Sequence, residues 1–539
     1  MIYFIINLKI FRTFRYKLYR DTWRNIRNLS RSGLINEIRK LLHEIHKTEI
    51  YSKPISRYIW INKKFPHHKL FLKQLFVQSL GYQKIKTMMI YFILKKKTKL
   101  IFPLPRLWQK KIEENSQLNL KTSHFLCSSL YGLFLFYSIL KSLSKSLFLF
   151  FFIIKKKLFK EYLFRSNEDC IVIPNFPMSK SRVDQSMSEY NLINWLKKKE
   201  GNKTFIFTDS NLKKMKSYNH IIVTASINDI FLKDLNLINF ISDFFKYLFF
   251  FLIEILLLRY GSLLLMDEFF QYLVLKNSNT KKIKFLFVWE NNIKRPLWSY
   301  ETEEDPEIIN LSNFNELRNN KENNLSYDFE GYFISNWDKY NVWTEQCKKF
   351  LNERLKNNPK INVVGPIFSY DLGLKLELPK TKIISIFGYE THKWSCGIST
   401  IAEYQNKDLF LIQKFYSDVL DAIEGNDVLL AIKRKKEFSQ TLEKKYIKNI
   451  FEKLKMHPQV IYVNPKISPY RLIQNTDCTI SMPFTSTSVA AKFMNKNSIY
   501  YDPINQINVD DPSRCDVEVI KDKIKLTQWI NTQFKINNN

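Results

Sequence analysis

Between residues 381 and 511 the chain repeats one pattern: a run of four to six β-branched or apolar residues, a polar turn, then a helix-length stretch. The runs are KIISI (382–386), VLLAIK (428–433), VIYV (460–463), CTIS (478–481) and SIYY (498–501). Helical spacing falls between them at 408–424, 438–456, 469–475 and 486–495. The second of these is amphipathic, with Phe438, Leu442, Tyr446, Ile447, Ile450, Phe451 and Leu454 on one stripe. Short strands joined by helical connections make a parallel, doubly wound sheet. Residues 526–534 supply a closing helix.

The preceding third carries a noisier version of the pattern. Strands are predicted at 170–174, 204–208, 220–224, 284–288, 332–335 and 361–364, with helical stretches between them, notably 235–276. The acidic stretch 301–324 reads as a surface loop. The predicted fold class is therefore α/β: two Rossmann-like domains preceded by a basic, largely helical region. The divisions are 1–165 for the basic region, 166–375 and 376–515 for the two α/β domains, and 516–539 for a C-terminal helix and tail.

Charge separates the first region from the rest. Residues 1–165 hold 34 Lys and Arg against 7 Asp and Glu, so they carry +27 of the chain's net +33. Such a segment seeks a polyanion, either a membrane surface or a nucleic acid. Its aromatic residues gather in continuous apolar runs instead of being interleaved for base stacking, which favours lipid over nucleic acid. Residues 125–140 (FLCSSLYGLFLFYSIL) are uncharged, Lys141 and Lys145 follow, and 147–154 (LFLFFFII) ends in three lysines. Neither run reaches the ~20 residues needed to span a bilayer. They suit an interfacial helix or a hydrophobic hairpin dipping into one leaflet, with a buried core helix as the rival reading. The apolar run 247–258 (YLFFFLIEILLL) reads as a buried helix of the first α/β domain. The first ten residues lack the charge order and cleavage site of a signal peptide. Six cysteines stand singly, with no C-x-x-C and no histidine at zinc spacing, which reads as structural thiols in a reducing compartment and no metal site.

In an open parallel sheet ligands bind beyond the carboxyl ends of the strands, so the loops there carry the chemistry. KIISI leads to FGYETHKWSCGIST (387–400), with Glu390 and His392 as candidate general bases. VLLAI leads to Lys433, Arg434, Lys435 and Lys436, a cation run that is costly at a helix start unless an anion is near; a solvated charge run is the plain alternative. VIYV leads to Asn464 and Pro465, read as bordering a nucleotide base, and SIYY leads to Asp502. CTIS leads to Met482, Pro483, Phe484, then Thr485, Ser486, Thr487 and Ser488. One hydroxyl suffices for a helix cap, so four in succession point to a phosphate held at a helix N-terminus. In the earlier domain Glu290 follows a strand as a rival base, and Arg295 is a possible anion contact.

SMPFTSTS at 481–488 followed by YYDP at 500–503 resembles the bacterial polysaccharide biosynthesis PFTS motif family; RPLWSY (295–300), VGPI (364–367) and the 433–436 run are also similar to it. Where that likeness implies Lys-Pro-Lys-Arg at the cationic strand end, Arg434 stands in the proline's place. The likeness covers roughly residues 285–511 and leaves out the basic region. It implies a GT-B-like, metal-independent glycosyltransferase of surface or capsular polysaccharide assembly, without a cofactor, that takes a nucleotide sugar as donor. The acceptor it implies is lipid-linked or an oligosaccharide, met at the cytoplasmic face of the inner membrane, where the basic region holds the enzyme to an anionic surface. The alternatives are a nucleotide-sugar epimerase of the same fold and a non-catalytic membrane-surface or polyanion-binding protein.

Overall fold

The computed structural model describes residues 124–159, 170–174, 191–201, 203–208, 216–218, 221–224, 227–232, 234–256, 266–278, 283–288, 295–300, 302–309, 319–320, 323–326, 337–355, 358–367, 376–388, 409–434, 444–505, 509–510 and 514–535. Its elements, in chain order, begin with α1 (His124–Leu158), β1 (Cys170–Ile173), α2 (Leu192–Glu200), β2 (Thr204–Thr208), β3 (Lys216–Tyr218) and β4 (Ile221–Thr224). Then come α3 (Asn228–Phe231), α4 (Leu237–Leu256), α5 (Met266–Lys276), β5 (Lys284–Val288), a 3-10 turn (Leu297–Tyr300), β6 (Glu307–Ile309), β7 (Asn319–Asn320) and β8 (Asn323–Ser326). β9 (Lys339–Val342), α6 (Glu345–Arg354) and β10 (Lys360–Val363) complete the first half. The second half runs β11 (Lys382–Phe387), α7 (Leu409–Asp421), β12 (Val428–Lys433), α8 (Lys444–Lys455), β13 (Val460–Val463), α9 (Pro469–Gln474), β14 (Cys478–Ser481), α10 (Ser486–Phe493), β15 (Asn497–Tyr501), β16 (Glu518–Ile520) and α11 (Lys523–Phe534).

Contacts divide the chain into two compact units. α1, α3, α4, α5 and the 3-10 turn belong to one; all strands and the remaining helices belong to the other.

In the strand-bearing unit the first sheet has the order β10-β9-β6-β5-β1-β2-β4-β3, and the second β13-β12-β11-β14-β15-β16. Within these two sheets every pairing among the described residues is parallel except the edge pair β3–β4. Both sheets start in the middle, wind outward to one side, then return to the centre and wind to the other. Right-handed crossovers applied twice in opposite directions give this doubly wound order. The central strands are buried on both faces, which is why they read as unbroken apolar runs: β1, β14 and all but the first residue of β11 are buried. Ile384, Ile386, Leu430, Ile432, Ile480 and Ile499 pack with Phe415, Phe451 and α11's Leu526 and Ile530 in one core.

The α/β expectation with two parallel sheets holds, and four details change. The 301–324 stretch is not simply a loop, for Glu307–Ile309 is a buried central strand and β7–β8 form a hairpin. A three-residue strand opening on a carboxylate carries no sequence signal; it is tolerable because Lys199 and Lys284 neutralise Glu307 at 2.6 and 3.4 Å. Strands β3 and β9 also lack such a signal. Residues 516–539 are more than a tail, since β16 pairs with β15 and extends the second sheet. The strand expected at 332–335 lies outside the described residues, as do residues 1–123 of the basic region.

Within their unit the start of α6 touches the turn before β16. Thr344 Oγ1 lies 3.6 Å from Cys515 Sγ, and Gln346 Nε2 donates to Asp516 Oδ2 at 2.8 Å. Gly365, just past β10, turns the chain at φ +76°, a region that side chains other than glycine's disfavour.

The helical unit corrects two further expectations. Of the readings for residues 125–154, the hairpin is excluded and the helix stands: α1 is continuous for 35 residues, about 52 Å at 1.5 Å per residue. Lys141 and Lys145 do not break it because both are exposed. Ile139, Phe150 and Ile153 face inward, and Phe150 stacks on Phe244 of α4 with centroids 4.0 Å apart. α4 groups with α1 and not with a sheet. It buries Phe240, Phe244, Tyr247 and Phe251 on one face, each worth roughly 2 kcal/mol, and exposes an apolar face opposite. Among the described residues no helix is long and apolar enough to cross a membrane.

Candidate functional site

The second sheet's strands run β11, β12, β13 to one side and β14, β15, β16 to the other, so the reversal falls between β11 and β14. Connections leaving those two strands part to opposite sides, and the crevice this opens is where such sheets take ligands. β11 leaves through Gly388. A Cβ there would sit 2.5 Å from the buried Tyr416 hydroxyl, so the backbone approach depends on glycine. β14 leaves through Met482 to Thr485, the PFTS turn. Lys433 ends β12, level with Val463, on β11's other side. With strands about 4.8 Å apart, β12 and β14 ends stand roughly 10 Å from each other across β11.

The turn is tight. Phe484 takes φ +64°, a left-handed conformation rare for a bulky residue. It is held there by burial, by an aromatic contact with Tyr500 at 5.9 Å, and by Tyr500's hydroxyl, which donates to Thr485 O at 3.0 Å. α10 then starts with Thr485 as N-cap residue, yet Thr485's side chain accepts no backbone N–H. Elsewhere Thr344, Ser468 and Asp522 each do so in capping α6, α9 and α11. Thr485 Oγ1 turns back to donate to Met482 O at 2.9 Å, and Thr487 Oγ1 donates to Thr485 Oγ1 at 3.2 Å. Ser481 Oγ lies 2.9 Å from Thr487 Oγ1; since Thr487 has a single proton, Ser481 is the donor of that pair. Ser488 is fully buried and donates to Ile499 O at 3.0 Å.

Four hydroxyls expected to share one task are thus divided. Ser488 anchors α10 to β15, and the protons of Thr485 and Thr487 are committed within the turn. What remains for an anion is the Ser486 hydroxyl, half-buried and without a hydrogen bond among the described residues, and the uncapped N–H groups of α10's first turn.

The other predicted residues fall as follows. Lys433 is buried and its Nζ donates to Arg434 O at 3.1 Å; Arg434's guanidinium lies 4.9 Å from the Phe451 ring centre. Asn464 is exposed, and its Oδ1 accepts from Lys466 N at 2.9 Å, closing the turn after β13, with Pro465 half-buried beside it. Asp502 is fully buried; its Oδ1 accepts from Ile504 N at 3.4 Å and its own N–H donates to Ile520 O. These bonds shape the turn after β15. Arg295 belongs to the helical unit, buried, with Nε donating to Ser299 Oγ at 3.3 Å. The three candidate bases, Glu390, His392 and Glu290, lie outside the described residues, as do Lys435 and Lys436. Sequence reasoning missed Gly388, Ser481, Phe484 and Tyr500; a lone glycine directly after a central strand, in a chain with only 11, was the available signal for the first.

Nearby ionisable groups are structural. Tyr501's hydroxyl, pushed well up by burial and by Asp418, donates to Asp418 Oδ2 at 2.6 Å. Burial raises the Cys478 thiol, which makes it a poor nucleophile. No group of three or more His, Cys, Asp and Glu side chains is placed to hold a metal ion among the described residues.

Fold and site together define a protein with two doubly wound parallel sheets, the second bearing an uncapped, hydroxyl-rich helix start at its switch point. The chain belongs to the polysaccharide biosynthesis PFTS motif protein family, whose model matches residues 246–530, more than half its length. No curated protein matches it in sequence. Among solved structures it is similar to α,α-trehalose 6-phosphate synthase from Burkholderia multivorans, at 8% identity and a TM-score of 0.37, over 69% of this chain and 89% of that one. The E. coli trehalose-6-phosphate structure bound with UDP-2-fluoro glucose gives 7% and 0.38, over 68% and 92%. TarM from S. aureus, solved with UDP, gives 10% and 0.28, over 47% and 48%.

Proposed function

We propose that the protein is a glycosyltransferase of surface polysaccharide biosynthesis that moves a sugar from a nucleotide-activated donor to a lipid-linked or oligosaccharide acceptor. The observation that carries this reading is the PFTS turn: a helix start whose N–H groups Thr485 leaves uncapped, with a serine hydroxyl, at the switch point of a Rossmann-ordered sheet. Family membership supplies the polysaccharide context. The donor's diphosphate lies on α10's first turn, where N–H groups and the helix dipole favour negative charge. Lys433 and Arg434 add positive charge from β12. In the reaction the acceptor's oxygen forms a bond to the anomeric carbon, while the bond from that carbon to the phosphate oxygen breaks. The nucleoside diphosphate leaves with the electron pair, and the acceptor's proton passes to Glu390, His392 or Glu290. Stabilising the charge on the leaving phosphate is the electrostatic part of catalysis. The work is done at the cytoplasmic face of the inner membrane, where a lipid-linked acceptor is presented.

The test is a thermal-shift titration of the full chain against a panel of nucleotide sugars, repeated on Ser486→Ala. One charge-assisted hydrogen bond lost weakens binding by roughly tenfold or more, with the unliganded melting temperature unchanged. Equal affinity in a folded variant sinks the phosphate assignment. Product analysis with an added glycan acceptor then separates transfer from epimerisation, which needs no acceptor.

A further inference from the structure

Large apolar side chains left in water are unevenly placed. Among the described residues, 17 of the 21 exposed ones lie on α1, at its end, or on α4. On α4 they form a helical stripe, Ile238, Phe245, Phe249, Leu252 and Leu256, opposite the face that packs inward. On α1 the exposed face carries Phe136, Leu140, Phe148, Phe151 and Phe152, with Lys141, Lys145 and Lys155 among them. The two stripes meet: the buried Phe150 ring is touched edge-on by Phe151 at 5.5 Å and by Phe245 of α4 at 5.9 Å. A helix apolar on both faces belongs in a core or against a membrane, and among the described residues only one face of α4 packs into a core.

We infer that α1 and α4 together form one surface that lies in the plane of an anionic lipid bilayer, with their aromatic stripes in the acyl boundary and the α1 lysines at the headgroups. This deepens the reading above by saying what holds the enzyme near a lipid-linked acceptor. Charge decides the occupant. α1 contains five lysines and no acidic residue, so a second copy would set cation against cation, whereas anionic headgroups complement the face. Its lysines sit where snorkelling side chains belong, beside exposed phenylalanines, and Lys156 Nζ lies 4.7 Å from the Phe152 ring centre.

Co-sedimentation of the full chain with phosphatidylcholine vesicles, with and without phosphatidylglycerol, tests it on three variants. These are Phe148→Ser with Phe151→Ser, Phe249→Ser with Leu252→Ser, and Lys141→Glu with Lys145→Glu. Expected is binding that needs phosphatidylglycerol and falls roughly tenfold or more in each apolar pair, with the charge pair losing the lipid preference. Because the substituted residues are exposed, melting temperatures and nucleotide-sugar shifts stay at the wild-type values, which separates this claim from the transferase reading. Undiminished binding by the α4 pair overturns the joint surface. Equal binding to neutral vesicles, or a concentration-dependent dimer that the α1 or α4 pair abolishes, overturns the lipid assignment.

Discussion

The two sheets are wound alike, but among the described residues their main polar clusters lie at opposite edges. In the first, an ionic cluster lies at the amino edge, where β5 and β6 begin: Glu307 with Lys199, Lys284 and Asn341, and Glu200 with Lys284 at 2.6 Å. Each member meets a complementary partner, so the cluster holds strands together. In the second, the polar groups gather at the carboxyl edge, around Lys433, Arg434 and the PFTS turn, where the backbone is bent into a conformation it does not favour. Similar winding therefore carries two kinds of polar edge. Satisfied charge at an amino edge stabilises the fold; strained backbone and uncapped N–H groups stand at the carboxyl edge on which the proposed phosphate site is built.

Substitutions that ignore this division break the comparison, and those that respect it sharpen it. The largest effect is expected from Phe484→Ala, which empties a buried aromatic site while leaving the left-handed backbone in place. It costs about 3–5 kcal/mol in denaturant unfolding and abolishes nucleotide-sugar binding along with the turn. Next is Glu307→Gln. Burial works against this carboxylate's charge, but hydrogen bonds and ion pairing from Lys199, with Asn341 and Lys284, hold its pKa down to about 2 from the ordinary 4.5. Its contribution is complete above pH 4.5 and is lost as pH falls toward 2. The variant is less stable at pH 7 by about 2 kcal/mol, less than the full linkage value because Lys199 keeps a third of its side chain in water. Its stability changes less than the wild type's between pH 4.5 and 2, and ligand affinity is unchanged. A variant that lost ligand binding instead would erase the distinction between the edges. Smallest is Ser488→Ala, about 1 kcal/mol of stability with no change in nucleotide affinity, the reverse of Ser486→Ala two residues earlier.

Much of the second sheet was legible because its central strands are buried on both faces: VLLAIK and CTIS match their strands residue for residue, as does the half-buried edge strand VIYV. β6 was not, since three residues beginning with a glutamate make no pattern until the lysines from α2 and β5 are beside it. The continuity of α1 was hidden for a related reason: lysines look like interruptions along a line, but on a helix they take up the outward face. In the site, the hydroxyl cluster was visible as composition, while its division of labour was not. Whether Ser488 points into the core or toward the crevice depends on helical phase and on the carbonyl that Ile499 offers.

The order of donors in the PFTS turn has a consequence of its own. From Ser481 through Thr487 and Thr485, each proton is handed onward until the last meets the carbonyl of Met482. A peptide oxygen with no proton to give back thus sets the sense of the whole relay. The turn behaves as a small polarised wire whose direction is set by its own first carbonyl. A guest arriving at these threonines finds lone pairs, and must look to the peptide nitrogens and Ser486 for a proton.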